Sequence, residues 1–242
     1  MTNCKQLNYN EKTIIYKVIC ILINNFLNST KLLSLKDKAY QTIKLEIIIG
    51  NLKPGVFLIE EKIAKSMNIS RGPIREALNR LEKEGFVTII PHKGTMVSNI
   101  SEQEVKDISK IRKVLEPLAA KESLPKISSS DLEGIKTNFL KLFDKPESKE
   151  NKNYFFLLDK DFHKLLNKEC GNRKLIDILD NFGDHTNWFI NLFLKNYPYK
   201  ESIKDHLYII EAIEKQEEDL VVSTIIKHLE RITNLIILEI IS

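Results

Sequence analysis

The sequence predicts a mainly α chain: an N-terminal winged helix-turn-helix followed by an all-α antiparallel helical bundle. Three observations predict it. Apolar residues recur at helical spacing through most of the chain. Glycine (8) and proline (7) are scarce among 242 residues, which suits long helices with few breaks. A hairpin signal, two short apolar runs joined by Pro91-His92-Lys93-Gly94, interrupts the helical period.

Residues 1–34 read as an N-terminal extension, an amphipathic helix or a loose arm, with no role assigned. From residue 35 the pattern sharpens. Leu35, Ala39, Ile43 and Ile47 share one helix face, so an amphipathic helix is predicted over 35–49. Gly50 stops it, and Asn51-Leu52-Lys53-Pro54-Gly55 is a turn by composition. A short apolar piece over 56–59 leads to a second helix over 60–67, with Ile63 and Ala64 facing inward. Ser70 stands at an N-cap position, where its hydroxyl can accept from the free N–H groups of the next turn. The third helix is predicted over 71–84, closed by Gly85 as a left-handed cap. Strands over 87–90 and 95–98 complete the hairpin, whose tip is basic.

Ser101-Glu102-Gln103-Glu104 is a capping box that opens a helix over 101–123. Val105, Ile108, Ile111, Leu115 and Leu118 are expected on its buried face. Further helices are expected over about 129–143, 151–169, 172–196, 200–215 and 217–241. Their short connections predict a mainly antiparallel bundle. The expected domains are therefore a winged helix over 35–99 and an all-helical domain over 100–242.

The net charge of +4 is unevenly spread. Residues 1–34 carry four Lys against one Glu, and 35–100 carry eleven Lys/Arg against seven Asp/Glu. Residues 101–242 carry 22 against 25, so the basic excess sits where a phosphate backbone would be met. Cys4, Cys20 and Cys170 have no metal-type spacing and imply a reducing compartment without a disulfide framework. The apolar run around 18–26 is interrupted by Asn24 and Asn25 and falls short of the about 20 residues a membrane span needs. A cytoplasmic location, without membrane association, is the expectation.

A helix that reads DNA needs positive, hydrogen-bonding side chains outside and apolar ones behind. Arg71 and Arg75 share one face of the third helix, and each guanidinium can pair bidentately with guanine or clamp a phosphate. Ile74, Leu78 and Leu81 lie opposite, and Pro73 sits where its missing N–H costs nothing. Arg80 is placed to reach the DNA backbone, and the wing tip, His92, Lys93, Gly94 and Thr95, to enter the minor groove or touch phosphates. Any one of these basic residues is equally explained as a solvated helix face; the joint pattern is not. Lys53-Pro54-Gly55, Ile63-Ala64, the run Ser70-Arg71-Gly72-Pro73-Ile74-Arg75-Glu76-Ala77-Leu78-Asn79-Arg80-Leu81, Glu84-Gly85-Phe86-Val87 and Gly94-Thr95 closely resemble the winged helix of the GntR family of repressors. The resemblance covers 35–98. It implies Arg71 and Arg75 as DNA contacts, with Ser70, Gly72, Arg80 and the wing assisting. Gly72 replaces the family's usual Thr and removes a hydroxyl.

In the C-terminal half Asp159, His163, His206 and His228 stand out. Asp159 and His163 lie one helical turn apart and point the same way. Three imidazoles and a carboxylate form a nitrogen/oxygen set suited to Zn²⁺, and also to Mn²⁺, Ni²⁺ or Fe²⁺. Spacing alone leaves open a chance pair and packed histidines. Residues 101–242 resemble the ligand-binding domain of the fatty-acid-regulator (FCD) subfamily, on Arg112 with Glu116-Pro117-Leu118-Ala119-Ala120, on Asp159-Lys160-Asp161-Phe162-His163 before Gly171-Asn172, and on His206 and His228-Leu229. That resemblance implies that the four residues bind a divalent metal, most simply zinc, and that a small carboxylate effector completes its coordination. Arg112 is the candidate for the effector's carboxylate, or else a surface salt bridge with Glu116. His185 is read as solvated rather than pocket-lining, and Trp188 as core.

These readings converge on a homodimeric transcription repressor rather than an enzyme. Two winged helices would read a pseudo-palindromic double-stranded operator. A metal-dependent hydrolase is the alternative from another class, but no His-Glu-x-x-His motif is present. A metal-free regulator that binds a long acyl thioester is the third reading.

Overall fold

The computed structural model describes residues 33–194 and 197–241. The extension over 1–34 lies outside the described residues except for 33 and 34, as do residues 195–196 of the helix expected over 172–196. The chain divides into two compact units between Asn99 and Ile100.

The first unit runs α1 (Leu35–Ile48), β1 (Phe57–Leu58), α2 (Glu60–Met67), α3 (Arg71–Lys83), β2 (Val87–Ile90) and β3 (Gly94–Val97). Ala39, Ile43 and Ile47 of α1 and Ile74, Leu78 and Leu81 of α3 are all buried, and the two helices pack together. This apolar seam fixes which face of α3 looks outward. Leu35, expected on the seam, is exposed as the first residue of α1. Asn68 caps α2 in the left-handed region at φ 54, which Asn tolerates better than most residues. The turn to α3 is thereby tight. Ser70 takes the extended N-cap backbone, but its hydroxyl makes no capping hydrogen bond and stays exposed, unlike the expectation. At the other end Gly85, φ 88, allows the Phe86 N–H to reach the Leu81 carbonyl at 3.0 Å and the Gly85 N–H to reach that of Glu82 at 3.0 Å. That pair of bonds is the Schellman closure of a helix.

The antiparallel sheet has the order β1-β3-β2, with Val87 opposite Val97 and Ile90 opposite Gly94. Lys93 N–H donates to the Ile90 carbonyl at 3.0 Å to close the wing turn. Pro91 presets the first central position, and His92, φ 62, takes a second position that glycine usually takes. His92, Lys93 and Gly94 are exposed at this tip.

The second unit contains α4 (Glu102–Ser123), a 3₁₀ turn (Leu124–Lys126), α5 (Ser129–Phe143), α6 (Lys149–Asn167), α7 (Arg173–Phe193), α8 (Tyr199–Glu214) and α9 (Glu218–Ile241). Side-chain caps start four of them: Ser101, Ser128, Ser148 and Asn172 accept from the N–H three residues on. α4 packs against α9, α7 and α6, while α5 packs against α6 and α8. The buried face of α4 differs from the expected one. Val105 and Ile108 are buried, but Ile111 and Leu118 are exposed; Arg112, Glu116, Ala119 and Ala120 face inward instead. A charged pair takes the interior because the bundle supplies partners for it there. Among the described residues no helix is long and apolar enough to cross a membrane.

Candidate functional site

In the first unit α3 presents its basic face outward. Arg71 and Arg75 are largely exposed, each held by an acidic residue of α2: Arg75 Nη2 donates to Glu60 Oε2 at 3.0 Å, and Arg71 Nη2 lies 3.5 Å from Glu61 Oε2. Gly72 has open space where a Cβ would stand. Arg80 stacks 3.6 Å over the Tyr40 ring and donates from Nε to Glu84 Oε1 at 3.1 Å. It is therefore built into the packing of α1 on α3 as much as it is displayed. The structure corrects the reading of Thr95 as part of the wing tip. The residue is 7% exposed, on the same inward face of β3 as Val97.

In the second unit Asp159, His163, His206 and His228 converge. One donor atom from each lies within 4.8 Å of every other, a set that could hold a metal ion. α6 contributes Asp159 and His163 from consecutive turns, α8 contributes His206, and α9 contributes His228. Asp159 Oδ1 lies 3.4 Å from His206 Nε2 and 3.8 Å from His163 Nε2. His206 is 0% exposed, with its ring centroid 5.0 Å from Phe139, 5.9 Å from Phe155 and 4.8 Å from Phe162. Neither of its ring nitrogens makes a hydrogen bond. Buried polar atoms normally have partners, and a divalent ion bound by the four residues is a partner that fits.

The electrostatics follow from burial. Desolvation holds the His206 imidazole well below its ordinary pKa, reinforced by the charges of His228, His163 and Arg231. Burial likewise lowers His228, although Asp205 pulls the other way. Both rings are thus favoured in the neutral form, the form that ligates metals. Burial also opposes charge on His163, but Glu116 outweighs it and raises the pKa. For Glu116 burial would raise the carboxyl, and Arg112 and His163 bring it well below the usual range.

Arg112 and Glu116 form the expected salt bridge, but inside the bundle rather than on its surface. The bridge forms, with Arg112 Nε donating to Glu116 Oε1 at 2.5 Å, but the residues are only 6% and 3% exposed. Arg112 Nη1 also donates to Thr186 Oγ1 at 2.6 Å. Both line a cavity shared with Asp159, His163, His228, Asn167, Thr186, Asn187 and Tyr197. About 50 Å³ of it is open to the centres of water-sized molecules, room for roughly three to five waters at about 10–15 Å³ each. The Asn167 Oδ1 atom is buried and without a hydrogen bond. His185 is not solvated as expected: it is buried beside Trp188 and Phe189 and does not line the cavity, while Trp188 is core. Sequence reasoning missed Asp205 and Arg231. Their only signal was position, since Asp205 precedes His206 and Arg231 shares a helix face with His228.

Residues 35–97 match bacterial regulatory proteins of the gntR family, and residues 107–231 match the FCD domain. The chain is 27% identical over 198 residues to the HTH-type transcriptional repressor RspR of Escherichia coli, covering 81% of this chain and 86% of that one. It is 24% identical over 189 residues to the gluconate operon transcriptional repressor of Bacillus licheniformis, covering 76% and 77%. In fold it resembles McbR/YncC of E. coli, with a TM-score of 0.72 and 19% identity, over 83% of this chain and 95% of that one.

Proposed function

The chain belongs to the gntR family of bacterial regulatory proteins and carries an FCD domain, and on that premise we propose that it is a metal-dependent, effector-controlled repressor. It is a DNA-binding transcriptional regulator and not an enzyme. The observation that carries the finer reading is the convergence of Asp159, His163, His206 and His228 beside a cavity floored by a buried arginine.

Asp159, His163, His206 and His228 would hold a divalent ion, most simply zinc, through one oxygen and three nitrogens. When bound, the ion supplies Lewis acidity toward an anionic ligand atom. The rest is done by the chain itself. Arg112 presents a fixed guanidinium to the cavity, suited to a carboxylate. The small open volume favours an effector of few heavy atoms and disfavours a long acyl thioester. On the other unit, Arg71 and Arg75 read the operator, with Ser70, Gly72, Arg80 and the tip residues His92, Lys93 and Gly94 assisting. Thr95 contributes through the sheet. A homodimer would place two such heads on a pseudo-palindrome. Control follows if the effector binds the DNA-competent and released forms with unequal affinity.

A panel of small carboxylates, scored by thermal shift and by release of operator DNA, tests this function. The expected result is one or more acids that stabilise the protein and alter operator affinity, with both effects lost in Arg112→Lys. Acids that act equally on Arg112→Lys would contradict the assignment of that residue.

A further inference from the structure

We propose that Glu116 and Asp205 are positioning residues: each sets an ionised carboxylate against Nδ1 of one imidazole, His163 or His228, which keeps the ring proton on Nδ1 and leaves Nε2 of that ring as the atom offered to the four-residue cluster. The inference rests on the metal reading of that cluster.

The same trio of groups is built twice, from different helices. On one side α4 supplies both Arg112 and Glu116. Glu116 Oε1 accepts from the Arg112 Nε at 2.5 Å, and Glu116 Oε2 lies 3.2 Å from His163 Nδ1, an ion-pair contact in which neither atom meets hydrogen-bond geometry. On the other side Asp205 Oδ2, from α8, accepts from Arg231 Nε at 2.6 Å and lies 3.2 Å from His228 Nδ1. Each trio runs guanidinium, carboxylate, imidazole. A buried carboxylate without a partner would give up its charge; an arginine removes that option for the buried Glu116 and likewise pairs with the half-buried Asp205. An ionised carboxylate can only accept, so the imidazole nitrogen that faces it must carry a proton. In a neutral ring the other nitrogen is then bare. His163 Nε2 does face Asp159 across 3.8 Å. The carboxylate also fixes the ring's rotation and makes the bare nitrogen a stronger donor.

His206 has no such brace among the described residues. No carboxylate meets its Nδ1, which is buried and without a hydrogen bond. Its ring is held by Phe139, Phe155 and Phe162 instead, the Phe155 ring lying nearly parallel at 10°. The cluster thus holds two imidazoles by charge-assisted contacts and the third by packing.

Zinc affinity of the full chain, measured by chelator competition, tests this with Glu116→Gln, Asp205→Asn, His228→Ala and the double variant of the last two. Cobalt(II) absorption supplies a second readout of the ligand field. Each single carboxylate variant should weaken zinc by about 10–100-fold and shift the cobalt bands. In the His228→Ala background, Asp205→Asn should have no further effect on zinc, because its route runs through that ring; a structural role would add its cost regardless. Should Glu116→Gln not fold, Asp205→Asn, on the more exposed brace, decides. Wild-type zinc affinity and unshifted cobalt bands in the carboxylate variants would overturn the positioning role and leave the metal reading standing. A wild-type chain that binds neither metal would overturn both.

Discussion

The Arg75 guanidinium donates from Nη2 to Glu60 Oε2 at 3.0 Å, tying the outward face of α3 to the first turn of α2. Arg71 and Glu61 repeat the pairing at 3.5 Å. On the proposed reading of the operator, both arginines would meet DNA with an internal carboxylate competing for them. Arg75→Ala should weaken operator binding by about tenfold or more, while Glu60→Gln should leave it equal or tighter. Fluorescence anisotropy at fixed salt checks both, and unchanged affinity in Arg75→Ala would remove this helix as the reader.

Operator affinity should fall log-linearly with salt, each neutralised phosphate contributing about 0.9 to the slope. On the proposed docking, the exposed Arg71, Arg75 and Lys93 would contribute to that slope. Lys93→Gln should lower it while leaving the sequence preference intact. A flat salt profile in the parent protein would count against docking through the basic face.

Glu84 gives the winged helix an acid limit. It accepts from Tyr40 at 2.6 Å, from Lys44 at 2.9 Å and from Arg80 at 3.1 Å. Burial would raise its carboxyl pKa, but these bonds and the Lys44 charge outweigh that and lower it. A carboxyl lowered on folding stabilises above its unfolded value, near 4.5, and loses that contribution as pH falls through the folded value. Unfolding midpoints should therefore drop below about pH 4.5 in the parent and less so in Glu84→Gln. Parallel pH profiles for the two proteins would refute the linkage.

Gly72 occupies the first turn of α3, and a methyl group added to its Cα would meet nothing within 4 Å. Gly72→Ala should stabilise the protein by about 0.5–1 kcal/mol, the usual helical cost of glycine, read from urea unfolding. Gly72→Thr should also tighten operator binding, since it restores a hydroxyl at the protein's DNA-facing surface. A loss of stability in Gly72→Ala would show that the glycine backbone is needed there.

Much of the winged helix is legible in the sequence because its signals are local: the period of Ala39, Ile43 and Ile47, the glycine that ends α3, and the turn residues of the wing. Thr95 departs from the reading although its signal is present. Strand side chains alternate, so Thr95 shares the inward face of Val97. The buried face of α4 is not legible, because hydrophobicity ranks Ile111 and Leu118 above Arg112 and Glu116. Only the distant partners His163 and Thr186 make burial of that charged pair tolerable. Of the cluster, spacing pairs Asp159 with His163. Family resemblance adds His206 and His228, and it takes the packing of α8 and α9 to put them beside the other two.

The most direct test of the four-residue centre is elemental analysis of the purified chain beside His206→Ala, whose packed ring no carboxylate braces. The account predicts about one divalent ion per chain in the parent and a large loss in the variant, with operator binding retained. A metal-free parent reconstituted with zinc to no effect, or a variant that keeps its full metal content, would contradict it.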